Sequence, residues 1–134
     1  MTGAPDDNAD FTDEFCAFLQ SSVATVDAAE LLLLLHDHRD TAWSTKELAA
    51  KVSPHGTVTE AEAAKYLEMF QQRKLVERTP DGRVRYRPSK AAERHLATLR
   101  RLYVERPVTL FRVIYALRDR KIKTLADAFR IFRK

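Results

Sequence analysis

Apolar positions recur at helical spacing along most of the chain and change to a period of two between residues 75 and 87. Phe11, Phe15, Phe18 and Leu19 predict a helix that begins near Asp10 or Thr12 and presents one aromatic side. Asp27-Ala28-Ala29-Glu30 reads as a capping signature for a second helix. The five leucines at 31–35 make that helix apolar on most sides, as the central helix of a small three-helix core requires. Ser44 with Glu47 opens a short helix over 46–52, with Leu48, Ala49 and Val52 turned inward. Ser53-Pro54-His55-Gly56 ends it, because Pro54 biases Ser53 away from helix and Gly56 allows a tight turn. Thr59 with Glu62 repeats the capping device and opens a longer helix to about Lys74, whose stripe is Ala63, Ala64, Leu67 and Phe70.

The period-two region predicts two short strands, 75–78 and 83–87, around the turn Thr79-Pro80-Asp81-Gly82. Pro80 presets the turn, Asp81 favours it, and Gly82 supplies the positive φ of a short hairpin loop. Alternation places Val84 and Tyr86 on one face and Arg83, Arg85 and Arg87 on the other. Trp43 fits a short strand pairing with this hairpin and is read as a core anchor. Ser89 caps the next helix, through Ala92, Leu96, Leu99, Leu102 and Tyr103, and Pro107 breaks the chain after Arg106. Residues 108–117 are nearly all apolar, and Thr124 opens a last amphipathic helix carrying Leu125, Ala126, Phe129 and Phe132.

This succession of helix, turn, helix and basic hairpin resembles the winged-helix superfamily of bacterial transcriptional regulators, over roughly residues 27–102. The resemblance implies a mainly α fold with a small β-hairpin wing: a winged helix-turn-helix core over 27–106. An acidic tail and docking helix over 1–26 precede it, and a C-terminal helical extension over 107–134 follows it. It also implies a double-stranded DNA partner, with helix 59–74 in the recognition position. Lys65, Tyr66, Met69 and Gln72 would then face the bases. Arg78, Arg83, Arg85, Arg87 and Lys90 form a cationic edge able to straddle phosphates, or else a solvated edge strand whose charge prevents unwanted pairing. The start of the recognition helix carries Glu60 and Glu62, which repel phosphate unless committed to capping or to a cytosine amine. A second expectation follows: a winged-helix module that binds other proteins without reading DNA sequence.

Charge sharpens the picture. Residues 1–72 hold thirteen acidic against four basic side chains, a balance of −9. Residues 73–134 hold nineteen basic against six acidic, a balance of +13, and together they give the chain's +4. Such asymmetry points to an anionic partner for the second half, or to two halves that compensate each other. Hydrophobic content of 45% with 31% charged residues is that of a folded domain and excludes a disordered chain. Cys16 is the single cysteine, so no intramolecular disulfide forms; it is expected to be a small half-buried side chain in a reducing compartment. The acidic N-terminus lacks the basic and apolar regions of a secretion signal, and the leucine run is far shorter than a membrane span, so a cytoplasmic protein is expected.

Catalysis finds no foothold in the sequence. The three glycines, Gly3, Gly56 and Gly82, form no phosphate loop, and no Cys/His cluster has zinc spacing. His36 and His38 point to opposite sides of a helix, which leaves His36 with Asp40 as two ligands at most; no metal and no cofactor are expected. The large apolar residues of the C-terminal segment call for cover. A homodimer through the terminal helices is the favoured solution, and folding back beside the N-terminal helix is the alternative. A basic surface for acidic lipids is disfavoured.

Overall fold

The computed structural model describes residues 10–53 and 56–119. Within them the chain is mainly helical with one small antiparallel sheet, as the periodicity predicts. In chain order the elements are α1 (Asp13–Ser22), α2 (Val26–Asp37), β1 (Ala42–Trp43), α3 (Thr45–Val52), α4 (Glu60–Gln72), β2 (Val76–Arg78), β3 (Val84–Tyr86), α5 (Lys90–Glu105) and α6 (Pro107–Leu117). They fall into two compact units, one over Asp27–Leu96 and one that joins the chain up to Val26 with the chain from Ala97. The predicted helix over 124–134 lies outside the described residues. Among the described residues no single helix is long and apolar enough to cross a membrane.

In the unit over 27–96, α2 starts at Val26, one residue ahead of its expected cap, so Asp27 sits in the first turn and favours the helix dipole instead. Leu31, Leu32 and Leu35 are fully buried, as are Leu48 on α3, Leu67 and Phe70 on α4, and Leu96 on α5. Each such side chain withdrawn from water contributes on the order of 1.5–3 kcal/mol. The inward stripes are narrower than expected. Ala64 is exposed and Val52 only half-buried, because an i,i+3,i+4 stripe leaves the next position at its rim.

The sheet has the order β1-β3-β2. Trp43 pairs with Val84 and Ala42 with Arg85 on one side of β3; on the other, Val76 pairs with Tyr86, Glu77 with Arg85, and Arg78 with Val84. The expected strand at Trp43 is present. It changes the status of the hairpin, since β3 is the central strand and not an edge. Trp43 is half-buried, less enclosed than a core anchor.

In the other unit, Thr12 caps α1 by accepting from the Phe15 amide at 3.0 Å. Phe11, Phe15, Phe18 and Leu19 are buried, and so is Cys16, more completely than its place beside the stripe predicted. α1 and α6 pack together. Gln20 fastens them by donating to the Leu117 carbonyl at 2.8 Å and the Asp119 carbonyl at 3.3 Å. Pro107 opens α6 at its first turn, where a missing amide costs nothing.

Candidate nucleic-acid interface

Both helices of the α3–α4 pair begin with a complete capping box. The Glu47 amide donates to Ser44 Oγ at 3.1 Å while the Ser44 amide donates to Glu47 Oε1 at 2.9 Å. Thr59 and Glu62 repeat the exchange at 3.1 and 2.9 Å. Ser53 joins the two helices in a way that the sequence did not signal. Its buried hydroxyl accepts from the amides of Thr57, at 2.8 Å, and Val58, at 3.2 Å, and so closes the turn.

α4 stops at Gln72, two residues short of the expected end. Lys74 takes a left-handed conformation at φ 64°. The Leu75 amide returns to the Phe70 carbonyl at 2.9 Å and the Lys74 amide to the Gln71 carbonyl at 3.2 Å. These two bonds form a Schellman termination with lysine where glycine is usual. It turns the chain straight into β2, and the Lys74 and Leu75 carbonyls then accept from the amides of Ser89 and Arg87, both at 2.9 Å. The exit of α4 is therefore bonded to the far end of the hairpin. The hairpin itself closes as predicted, with Gly82 at φ 85° and the Thr79 amide donating to the Arg83 carbonyl at 2.8 Å.

On α4, Lys65 and Gln72 are exposed, as are Glu60, Glu62 and Glu68. Tyr66 and Met69 are half-buried at the rim of the apolar stripe, so less of each reaches outward than the spacing implied. The hairpin cations differ among themselves. Arg83 is held by Glu47 at 2.9 Å and lies 3.5 Å from Asp81. Arg85 forms a close pair with Glu77, its cross-strand neighbour, and Arg87 stands 3.6 Å from the same carboxylate with 68% of its side chain exposed. Arg78 donates to the Gly82 carbonyl at 3.1 Å. Lys65 and Lys90 have no ion-pair partner among the described residues. The expected free row of arginines is thus a graded one, with Arg83 and Arg85 engaged and Arg78, Arg87 and Lys90 available.

The carboxylates register these contacts. The Ser44 amide and the Arg83 guanidinium hold Glu47 below the ordinary glutamate range. Arg85, then Arg87, do the same for Glu77, and the Thr79 hydroxyl leads the lowering of Asp81. Burial pushes the Tyr86 phenol in the other direction. Its acidity is weakened by desolvation and by the charge of Glu93, with Arg39 opposing. Among the described residues Tyr86 Oη makes no hydrogen bond of good geometry, Glu93 being the carboxylate that faces it.

A residue that no motif marked completes the region. Arg39, in the loop between α2 and β1, lays its guanidinium 5.2 Å from the Tyr86 ring centroid and stands 3.5 Å from Glu93. His36 meets that ring edge-on with centroids 5.4 Å apart, and its Nδ1 lies 3.2 Å from Asp37. Among the described residues no group of three or more His, Cys, Asp or Glu side chains is placed to hold a metal ion. An open concavity of about 390 Å³ is lined by Arg39, Asp40, Arg85, Tyr86, Arg87 and Pro88. Arg39 could have been suspected only from its basic charge in an otherwise acidic half; nothing in its spacing tied it to the hairpin.

No protein family's sequence profile matches the chain, and neither a curated protein nor a solved structure is significantly similar to it.

Proposed function

We propose that residues 27–96 form a winged-helix domain that binds double-stranded DNA in transcriptional regulation. The observation that carries this reading is the order α2-β1-α3-α4-β2-β3 with β1 pairing onto β3. It sets two capped helices across a tight turn and a basic hairpin directly after the second. In this reading α4 faces the groove through Lys65, Tyr66, Met69 and Gln72, while Arg78, Arg87 and Lys90 meet backbone phosphates first. Arg83 and Arg85 must exchange Glu47 and Glu77 for phosphate. That exchange is feasible because exposed ion pairs contribute little, typically 1 kcal/mol or less.

Fluorescence anisotropy of a labelled duplex across a salt series tests the reading. Wild-type protein should bind at micromolar concentration or tighter and weaken steeply with salt. Arg78→Ala/Arg87→Ala should flatten the slope of log affinity against log salt by about one unit per contact removed. Arg83→Ala/Arg85→Ala/Arg87→Ala should flatten it further. Binding that is absent at low salt, or indifferent to these arginines, would sink the DNA reading. The second reading, a protein-binding module, is favoured by Glu60 and Glu62 at the head of α4 and by the pairing of Arg83 and Arg85 within the domain.

A further inference from the structure

Among the described residues Lys74 is the only one other than glycine at positive φ. That conformation is sterically disfavoured for a residue with a Cβ, and glycine would complete the same termination of α4 freely. Backbone held in such a region at a cost to the fold concentrates where a protein meets its ligand. Lys74 is exposed, and so are Arg73 before it and Lys90 at the start of α5. Among the described residues none of these three cations has an ion-pair partner.

The backbone sets the three near one another. The Ser89 amide donates to the Lys74 carbonyl and the Arg87 amide to the Leu75 carbonyl, both at 2.9 Å, so the chain at 73–75 runs beside the chain at 87–90. Neither 69–76 nor 87–92 contains a carboxylate. The arginines of the hairpin are placed otherwise: Glu47 holds Arg83, and Glu77 holds Arg85 and stands 3.6 Å from Arg87. A phosphate arriving there displaces a carboxylate, whereas one arriving at the foot of the hairpin displaces water alone. A lysine suits such a place, since its ammonium is a point charge on a flexible stem that needs no fixed fork geometry. We propose that Lys74, with Arg73 and Lys90 beside it, contacts the phosphate backbone of a duplex at the exit of α4, and that a lysine occupies this left-handed position because its charge is used. This role presupposes the duplex-binding reading of residues 27–96 and extends that surface to Arg73 and Lys74.

Lys74→Gly in the full chain separates binding from folding. Its urea midpoint should rise above that of the wild type, so that weaker binding cannot be loss of fold. In fluorescence anisotropy with a labelled duplex it should bind about tenfold more weakly at roughly 50 mM salt, with the slope of log affinity against log salt flatter by about one unit, as the loss of one phosphate contact requires. Lys74→Arg, which keeps the charge, should retain the wild-type slope. Arg73→Gln/Lys90→Gln should flatten it by about two units. Arg112→Gln, which takes the same charge from the exposed side of α6, should leave it unchanged. A Lys74→Gly protein that binds as the wild type does, or loses no more than Arg112→Gln, would overturn the role of Lys74 and leave the duplex-binding reading standing. Absence of duplex binding by the wild type at low salt would overturn both.

Discussion

Tyr86 shows how one side chain carries opposing demands. The residue is 5% exposed and its ring is flanked by His36 and Arg39, yet among the described residues its buried hydroxyl makes no hydrogen bond of good geometry. A buried polar atom left unbonded costs about 1–3 kcal/mol, so Tyr86→Phe should raise stability in urea by about 1 kcal/mol. The same exchange should act on the alkaline limb. The phenol's folded pKa is raised above the ordinary value of 10.0, so its stabilising contribution is complete below that pH. The contribution is lost as pH rises past it, and Tyr86→Phe should remove this part of the loss. Lys74 is the other strained residue. At φ 64° a lysine is held where glycine sits freely, and Lys74→Gly should stabilise the protein by about 0.5 kcal/mol, net of glycine's greater unfolded-state entropy. A fall in the urea midpoint for either variant would contradict these accounts.

Among the elements, the two capping boxes look alike in sequence and differ in the fold. Among the described residues Glu62 bonds within the α4 cap alone, whereas Glu47 serves α3 and also holds Arg83 of the hairpin. Ser44→Ala and Thr59→Ala should each cost about 1 kcal/mol, but Glu47→Gln alone should shift hairpin amide resonances. Acid should act on the same links. Glu47 and Glu77 titrate below the ordinary 4.5 and Asp81 below 3.8 in the folded chain, because amide, hydroxyl and guanidinium donors favour their charged forms. Their stabilising contribution is therefore complete above those values and is lost as pH falls through the lower folded ones. Hydrogen exchange of the hairpin amides should accelerate in that acid range before exchange in the α2 leucine segment does.

For the molecule as a whole, the balance of +13 from Arg73 onward bears on association and not on folding. The apolar C-terminal residues are resolved only in part by the chain itself. Leu110, Val113, Ile114 and Leu117 are buried, while Val104, Val108 and Tyr115 remain 64%, 62% and 74% exposed. Val108 and Tyr115 lie two helical turns apart on α6 and Val104 lies near the end of α5, and on these residues we propose that the homodimer expected from the sequence would form. Sedimentation at micromolar concentration should give about twice 15.4 kDa, and Val108→Glu/Tyr115→Glu should return the monomer. A monomeric wild type at high concentration would remove the dimer.

What could be read from sequence was what local chemistry decides. Helical spacing, two reciprocal caps, the Pro80-Asp81-Gly82 turn and the Val84/Tyr86 alternation concern neighbours within a few residues, and each element they predict among the described residues is present. The boundaries that moved were set by more distant partners. α4 ends early because Leu75 and Lys74 are drawn back to Phe70 and Gln71 and then bonded to Arg87 and Ser89. The availability of the arginines was likewise illegible, since it depends on which carboxylate the sheet register and the α3 cap bring within reach. Glu77 opposes Arg85 only because the hairpin loop sets that register, and Arg83 meets Glu47 only because β1 closes on β3. The hollow that joins Arg39 to Arg85 and Arg87 was decided by tertiary structure alone. Charge is carried by single residues, but a binding site is a coincidence of charges in space, and only the folded backbone sets their distances.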